Sequence, residues 1–180
     1  MMNELDTIIV IDVESTTWKD IPPPSQEREI IEIGICPLQV ATGKRLSKRN
    51  ILVKPEKSTV TDYCTKLTTL TQEQIKNLGI SLKEACSTLE KEYLTKTRTW
   101  ASWGKYDKNQ FERECKSKNV PYPFGPNHVN IKSLFASKKG LTHEVELLEA
   151  LQMLGLQFEG TYHRAVDDAY NIAHVFLKII

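Results

Sequence analysis

The sequence lacks the cysteine spacings that build zinc sites. Its four cysteines (Cys36, Cys64, Cys86 and Cys115) are far apart, and none forms a CxxC pair or a Cys/His zinc pattern. This argues against a cysteine metal centre. Dispersed cysteines in a chain of this size are typical of reduced thiols in a cytosolic protein.

Long apolar runs and an excess of one charge are also missing. The apolar stretches are far shorter than a membrane span, and the N-terminus, MMNELDTIIVID, carries acids before its apolar run, unlike a secretory signal. We therefore expect a soluble, cytoplasmic protein. The formal net charge is only +1, so any contact with nucleic acid has to use local basic clusters.

What is present is the composition of a folded domain. Of 180 residues, 40% are apolar and 26% charged, which excludes a disordered chain. No repeat, low-complexity segment or linker interrupts the chain, so residues 1–180 are predicted to form a single domain.

The hydrophobic pattern predicts an α/β fold. Strands are predicted at 5–13, 29–40, 50–54 and 97–103, with a hairpin turn at Gly43 joining the second and third. Helices are predicted to begin at Thr71, Ser81, Asp107 and Thr142, and the last covers 164–180. This order indicates a mixed sheet, an antiparallel meander of three strands plus parallel strands, flanked by helices.

Two acids end the first strand, in IIVIDVEST. Side chains alternate between the faces of a strand, so Asp12 and Glu14 share a face. Two carboxylates this close repel each other unless a proton or a cation lies between them.

A third acid is misplaced in the last helix, HRAVDDAYNIAHVFLKII. At about 100° per residue, Asp168 lies inside the apolar stripe, whereas Asp167 lies on the polar side and is predicted to be solvated. A buried carboxylate has to be protonated, hydrogen-bonded, paired or bound to metal. An ion pair with Arg164 or a buried hydrogen bond therefore remains open as an alternative.

Asp107, in WGKYDKNQF, and His163, before the last helix, complete the set. Asp107 also fits a simple helix N-cap, with Gln110 three places on as its capping-box partner. A histidine at a helix start, such as His163, is most often a cap or a surface residue.

One chemistry explains all five residues. Oxygen ligands suit Mg²⁺ or Mn²⁺, and four carboxylates could hold two such ions about 4 Å apart. A nearby histidine, with an ordinary pKa of about 6.5, could take a proton from the attacking water. The set therefore points to phosphodiester hydrolysis.

The motifs IDVEST, WGKYD and HRAVDDAYN, in this order, resemble those of the DEDDh 3′-to-5′ exonucleases, which have an RNase H-like fold. The segments EIIEIG, ILVKP, TDYCTKLTTLTQEQI and HVNIKSLFA resemble the subgroup that trims RNA 3′ ends, which includes histone-mRNA and small-interfering-RNA exonucleases and KapD-type proteins. The resemblance implies a single exonuclease domain over residues 1–180 and an RNA substrate with a single-stranded or stem-loop 3′ end. It also implies that His163 is the general base and that two Mg²⁺ or Mn²⁺ ions are held by Asp12, Glu14, Asp107 and Asp168.

Substrate contacts are predicted at Thr16, Leu67, Thr68, Leu70, Trp103 and Lys105. Family members commonly have Leu-Thr-Gly-Ile where this chain has Leu67-Thr68-Thr69-Leu70. Loss of that glycine puts the local backbone path in question. A basic cluster at residues 44–49 is a further candidate for backbone contacts, and solvated turn charges are the alternative.

Three other functions remain open. The same fold could serve as a binding module for nucleic acid or protein, or as an exonuclease directed at DNA. DVEST also resembles the DxDxT loop of haloacid-dehalogenase-type phosphatases, but Glu14 stands where that chemistry needs a second Asp.

Overall fold

The computed structural model describes residues 7–180. Within this range six strands form one sheet in the order β3-β2-β1-β5-β6, and β4 also pairs with β2. Strand β2 is antiparallel to β1, β3 and β4, whereas β5 is parallel to β1 and to β6. The predicted mixed sheet is therefore confirmed. The strands are β1 Thr7–Ser15, β2 Ile30–Gln39, β3 Lys44–Arg45, β4 Arg49–Leu52, β5 Trp100–Ser102 and β6 His128–Asn130.

Helices cover both faces of the sheet. One face packs on α3 and α4 around Trp100 and Phe111, and the other packs on α5, α6 and α7 around Phe135 and Ile172. None of the described helices is long and apolar enough to cross a membrane. The helices are α1 Asp62–Thr68, α2 Gln72–Leu78, α3 Leu82–Tyr93, α4 Tyr106–Ser117, α5 Ile131–Lys138, α6 Leu147–Met153 and α7 Ala165–Leu177, with a 3₁₀ turn at Val40–Thr42.

Two helix starts are confirmed in detail. Thr71 and Gln74 form a reciprocal capping box at the start of α2, as Ser81 and Glu84 do for α3. Each box satisfies backbone N–H groups that the first helical turn leaves without partners. Local sequence is sufficient here because donor and acceptor are only three residues apart.

Other boundaries differ from the prediction. Residues 5 and 6 of the first predicted strand lie outside the described residues, and the helix expected at Thr142 begins only at Leu147. Residues 144–146 are not helical, and the side chains of Glu144 and Glu146 instead bond to Ser133 and Lys132 of α5. The sequence pattern also missed four short elements, β3, α1, α5 and β6. Tertiary contacts decide such short segments more than local propensity does.

Candidate active site

The two acids of β1 share a face, as predicted. In the antiparallel register Asp12 lies opposite Gly34 of β2, and Glu14 lies opposite Glu32. Val10, on the same face of β1, packs in the cluster with α5, α6 and α7. Both carboxylates therefore point toward the helical layer that contains α7.

Helix α7 brings Asp168 to these acids. It approaches β2 so closely at Gly34 that a Cβ there would lie 1.8 Å from the Ala165 carbonyl oxygen. One carboxylate oxygen from each of Asp12, Glu14 and Asp168 lies within 4.8 Å of the other two. Three acids from two elements thus converge on a volume the size of a metal ion.

Asp168 is 5% exposed, and its Oδ2 has no hydrogen-bond partner among the described residues. Arg164, the alternative partner considered from sequence, instead donates to Glu32. The predicted alternative of an Asp168–Arg164 ion pair is therefore wrong. A buried carboxylate oxygen without a donor is rare, and a cation would satisfy it.

Asp107 joins the site from the first turn of α4. Its Oδ1 accepts a hydrogen bond from the backbone N–H of Val13 at 2.9 Å, between the two acids of β1. The N-cap of α4 is Lys105, with no side-chain cap, so the alternative of an Asp107–Gln110 capping box is wrong. Asp107 is not part of the three-acid group found among the described residues, but it lines the same cleft.

The ionised carboxylates of this cleft repel one another when no cation is bound. Burial, followed by repulsion from Asp107 and Asp168, raises the pKa of Asp12 well above its ordinary value. Burial raises the pKa of Asp107 to about 7, and burial with repulsion from Glu14 raises the pKa of Asp168 to about 8. Burial also raises the pKa of Glu14. Several carboxyl groups that resist ionisation in one cleft indicate a functional site.

His163 lies directly before α7 with a left-handed backbone, φ 64°. Its Nδ1 is 3.7 Å from Oε1 of Glu14, and this contact raises the pKa of His163. The Tyr162 ring packs against the imidazole with centroids 4.1 Å apart. The predicted base is therefore adjacent to the acid cluster.

The four predicted metal-binding acids and the predicted base His163 all line one cleft of about 260 Å³. Sequence reasoning did not single out Tyr162, Glu146, Leu147 and Ile172 as site residues, although each contributes to this cleft. Tyr162 and Glu146 precede helices and follow no periodic pattern that would have revealed them. The complete lining is Asp12, Val13, Glu14, Trp103, Tyr106, Asp107, Glu146, Leu147, Tyr162, His163, Asp168 and Ile172.

The predicted substrate contacts are placed differently from one another. Trp103 lines the cleft, and Lys105 and Leu67 are exposed. Thr16, Thr68 and Leu70 are buried, and both hydroxyls bond to nearby backbone groups. A role in substrate binding stays a prediction for all six residues.

Thr69 stands where the related motif has glycine. Its backbone is left-handed, with φ 64° and ψ 1°, and it caps α1 with a bond from its N–H to the Thr65 carbonyl. Thr69 therefore adopts a left-handed conformation of the kind that glycine accommodates without strain. A β-branched residue in this region is strained.

The basic side chains at residues 44–49 are less available for contacts with a nucleic-acid backbone than expected. Arg45, Lys48 and Arg49 pair with Glu159, Asp167 and Glu92, respectively. The prediction that Asp167 is solvated is wrong, because its side chain is only 13% exposed and accepts the N–H of Thr161 at 2.8 Å. The chain before α7 folds back over this helix, which helical periodicity alone does not show.

Comparison with known proteins decides the family. A family model described as RNase_T, exonuclease, matches residues 9–176. The chain belongs to this exonuclease family. The predicted family and its RNase H-like fold are thus confirmed.

The chain is 28% identical to ERI1 exoribonuclease 2 of Mus musculus, with 96% of this chain and 28% of that protein aligned. It is also 28% identical to 3′-5′ exoribonuclease 1 of Homo sapiens, over 97% of this chain and 52% of that protein. The chain therefore spans about a quarter of the length of the mouse relative and about half of the length of the human relative.

A solved structure gives the same fold. It is the nuclease domain of 3′hExo, described as a DEDDh family member bound to rAMP. It superposes with a TM-score of 0.83 at 25% identity, covering 97% of this chain and 91% of that one. DEDDh exonucleases use divalent metal ions, and the three convergent carboxylates with the unpartnered Asp168 Oδ2 fit that requirement.

Proposed function

We propose that this chain is a metal-dependent 3′-to-5′ exonuclease that acts on RNA and releases nucleoside 5′-monophosphates. The observation that carries the proposal is the convergence of Asp12, Glu14 and Asp168 within 4.8 Å, beside His163. An acid cluster beside a histidine in an open cleft suits hydrolysis of a phosphodiester better than binding alone.

The acids would hold two divalent ions, Mg²⁺ or Mn²⁺. Asp12, Glu14 and Asp168 supply the three gathered oxygens, and Asp107 supplies a fourth carboxylate in the same cleft. When bound, such ions add positive charge at the reacting phosphate and favour ionisation of a water molecule. They would also relieve the repulsion that raises the pKa values of these acids.

His163 is proposed to take the proton of the attacking water. Its Nδ1 faces Glu14, and if Nδ1 donates to that carboxylate, Nε2 carries the lone pair that accepts a proton. The water oxygen bonds to the phosphorus of the 3′-terminal nucleotide, the bond from this phosphorus to the preceding 3′ oxygen breaks, and that oxygen takes up a proton from solvent. The products are a shortened chain with a free 3′-hydroxyl and a nucleoside 5′-monophosphate.

The preference for RNA is supported by relatives, not by a residue of this site. The mouse and human relatives are named exoribonucleases, and the structural neighbour binds rAMP. Trp103, Tyr106 and Tyr162 line the cleft and offer ring faces on which bases of a single-stranded or stem-loop 3′ end could stack.

Labelled oligonucleotides test the proposal. The protein is incubated with 5′-labelled single-stranded RNA, single-stranded DNA and an RNA stem-loop, with Mg²⁺ or Mn²⁺ and with chelator. We expect a ladder of shortening products that requires metal and is strongest on RNA. His163→Ala should slow it by roughly 10²–10⁴-fold, the usual contribution of a positioned acid or base, whereas exposed His143→Gln should not.

Two results would overturn the proposal. The first is a protein that shows no activity with either metal over pH 6–9 and whose Mn²⁺ binding in calorimetry is weak and does not depend on Asp168. This result would favour a binding module. A ladder on DNA alone would replace the proposed RNA substrate by DNA.

A further inference from the structure

The proposed chemistry leaves one buried acid unused. Glu32 is fully buried near the start of β2, directly opposite Glu14. It is not one of the acids that converge on the candidate metal site among the described residues. The reason for a carboxylate at this position therefore has to lie elsewhere.

Donors of protein origin surround both oxygens of Glu32. Oε2 accepts from Arg164 Nε at 3.1 Å and from the backbone N–H of Ala165 at 2.9 Å. Oε1 accepts from Arg164 Nη2 at 2.8 Å and from Asn50 Nδ2 at 3.1 Å. The fork of Arg164 thus meets the carboxylate with two nitrogens, the geometry that gives the strongest and most directional ion pairs.

Three of these four bonds come from the two residues that follow His163. His163 itself has φ 64°, a conformation that is strained for a residue with a side chain and that persists only where the surrounding structure imposes it. Arg164, the N-cap of α7, makes no side-chain cap to the helix, so capping does not impose this conformation. The bonds to Glu32, together with the close contact of Ala165 on Gly34, fix the chain on the C-terminal side of His163.

We infer that Glu32 and Arg164 are positioning residues that hold His163 over the acid cluster. The inference rests on the proposed function, in which His163 is the base. In the register of β1 with β2, Glu32 lies opposite Glu14. The same pair of strands therefore holds Glu14 directly and, through Glu32, the residues next to His163, so it sets both sides of the His163–Glu14 contact.

The Arg164 side chain that pairs with Glu32 also reaches the segment that contains the predicted substrate contacts Leu67, Thr68 and Leu70. Arg164 Nη1 lies 3.5 Å from the hydroxyl of Thr69, in the turn between α1 and α2. Arg164 therefore lies between the Thr69 turn and His163, the proposed general base. This contact is long, so we expect Thr69 to contribute much less than Glu32.

Glu32→Gln and Arg164→Gln test the inference by steady-state kinetics on RNA. A misplacement of about 1 Å is enough for a roughly 100-fold loss of rate, so we expect kcat to fall by 10- to 100-fold while KM changes less than threefold. Arg164→Lys keeps the charge but not the fork and should recover part of kcat. Because the three gathered acids are unchanged, calorimetry should show wild-type Mn²⁺ binding.

A double-mutant cycle separates positioning from general destabilisation. Glu32 is inferred to act through His163, so adding Glu32→Gln to His163→Ala should lower kcat no further. The matched control is Lys118→Met, which breaks another buried ion pair, with Glu29 and Glu114, at the distal end of α4. It should lower the melting temperature and leave kcat unchanged.

The inference is overturned if either bridge variant keeps wild-type kcat, or if Glu32→Gln is equally harmful with and without His163. Should Glu32→Gln not fold, Arg164→Gln decides alone, since it leaves Glu32 its bonds from Ala165 and Asn50. A wild-type protein without any exonuclease activity would instead contradict the proposed function.

Discussion

Glu14 Oε1 lies 3.7 Å from His163 Nδ1, although 149 positions separate the two residues in the chain (163 − 14). The contact joins the end of β1 to the residue before α7. It makes Glu14 a neighbour of both the candidate metal volume and the candidate base. The contact therefore places the proposed base and the proposed metal ligands in one cleft.

Asp168→Asn should abolish both nuclease activity and high-affinity Mn²⁺ binding, because it removes one of three gathered carboxylates. The matched control is Asp167→Asn, one residue earlier on α7, whose carboxylate pairs with Lys48 and Thr161 instead. We expect the control to melt at a lower temperature yet bind Mn²⁺ normally in calorimetry. Equal loss of binding in both variants would contradict the assignment of Asp168.

The raised pKa values of Asp107 and Asp168 should make the metal-free protein lose stability as the pH rises from about 4 to about 8, above which both acids are ionised in the folded state as well. Asp107 and Asp168 have folded-state pKa values of about 7 and about 8, above the ordinary 3.8, so the folded state holds protons that the unfolded chain releases. Between about pH 4 and 6.5 His128, whose pKa burial lowers to about 4, acts in the opposite direction, so the loss of stability is best measured in the window from about pH 6.5 to 8.

Thermal melts in chelator and in Mg²⁺ or Mn²⁺ measure this effect. The stabilisation by metal should increase with pH, because ionised acids repel each other in its absence and bind it in its presence. Asp168→Asn should weaken the pH dependence both of the metal-free melting temperature and of the stabilisation by metal. A metal-free melting temperature that rises steadily across the window would contradict the raised pKa values.

Thr69→Gly should raise the free energy of unfolding by about 0.5–1 kcal/mol. Relief of roughly 1–2 kcal/mol of left-handed strain exceeds the extra chain entropy of glycine in the unfolded state. Thr69→Asn, which tolerates this conformation better, should fall between the two. Denaturant melts decide the order, and a glycine variant less stable than wild type would show that the threonine side chain stabilises the turn.

Gly34→Ala should impair both stability and catalysis. Its Cβ would lie 1.8 Å from the Ala165 carbonyl oxygen, so α7 has to move away from β2 and carry Asp168 with it. We expect a loss of about 1–3 kcal/mol, typical of overpacking, and weaker Mn²⁺ binding. Gly43→Ala is the control: it has no atom within 4 Å of the added Cβ and should leave Mn²⁺ binding intact.

Part of the site followed from local pattern. Alternation along β1 placed Asp12 and Glu14 on one face, and helical periodicity placed Asp168 inside the apolar stripe of α7. Glu32 carries the same kind of signal, an acid among the isoleucines of EIIEIG, but its role was not deduced. An acid in an apolar strand indicates that a partner exists without naming it.

Local patterns were enough to predict most of the longer strands and helices, two capping boxes and the set of acids, because strand alternation, helix periodicity and capping act over a few residues. The partners of the buried charged side chains depend on tertiary contacts instead. The tertiary structure paired Arg164 with Glu32 instead of Asp168, gave Asp107 the N–H of Val13, and turned Asp167 toward Lys48. These contacts join residues about 90 to 130 positions apart, and they depend on sheet register and on the close approach of α7 at Gly34, which no short sequence window contains.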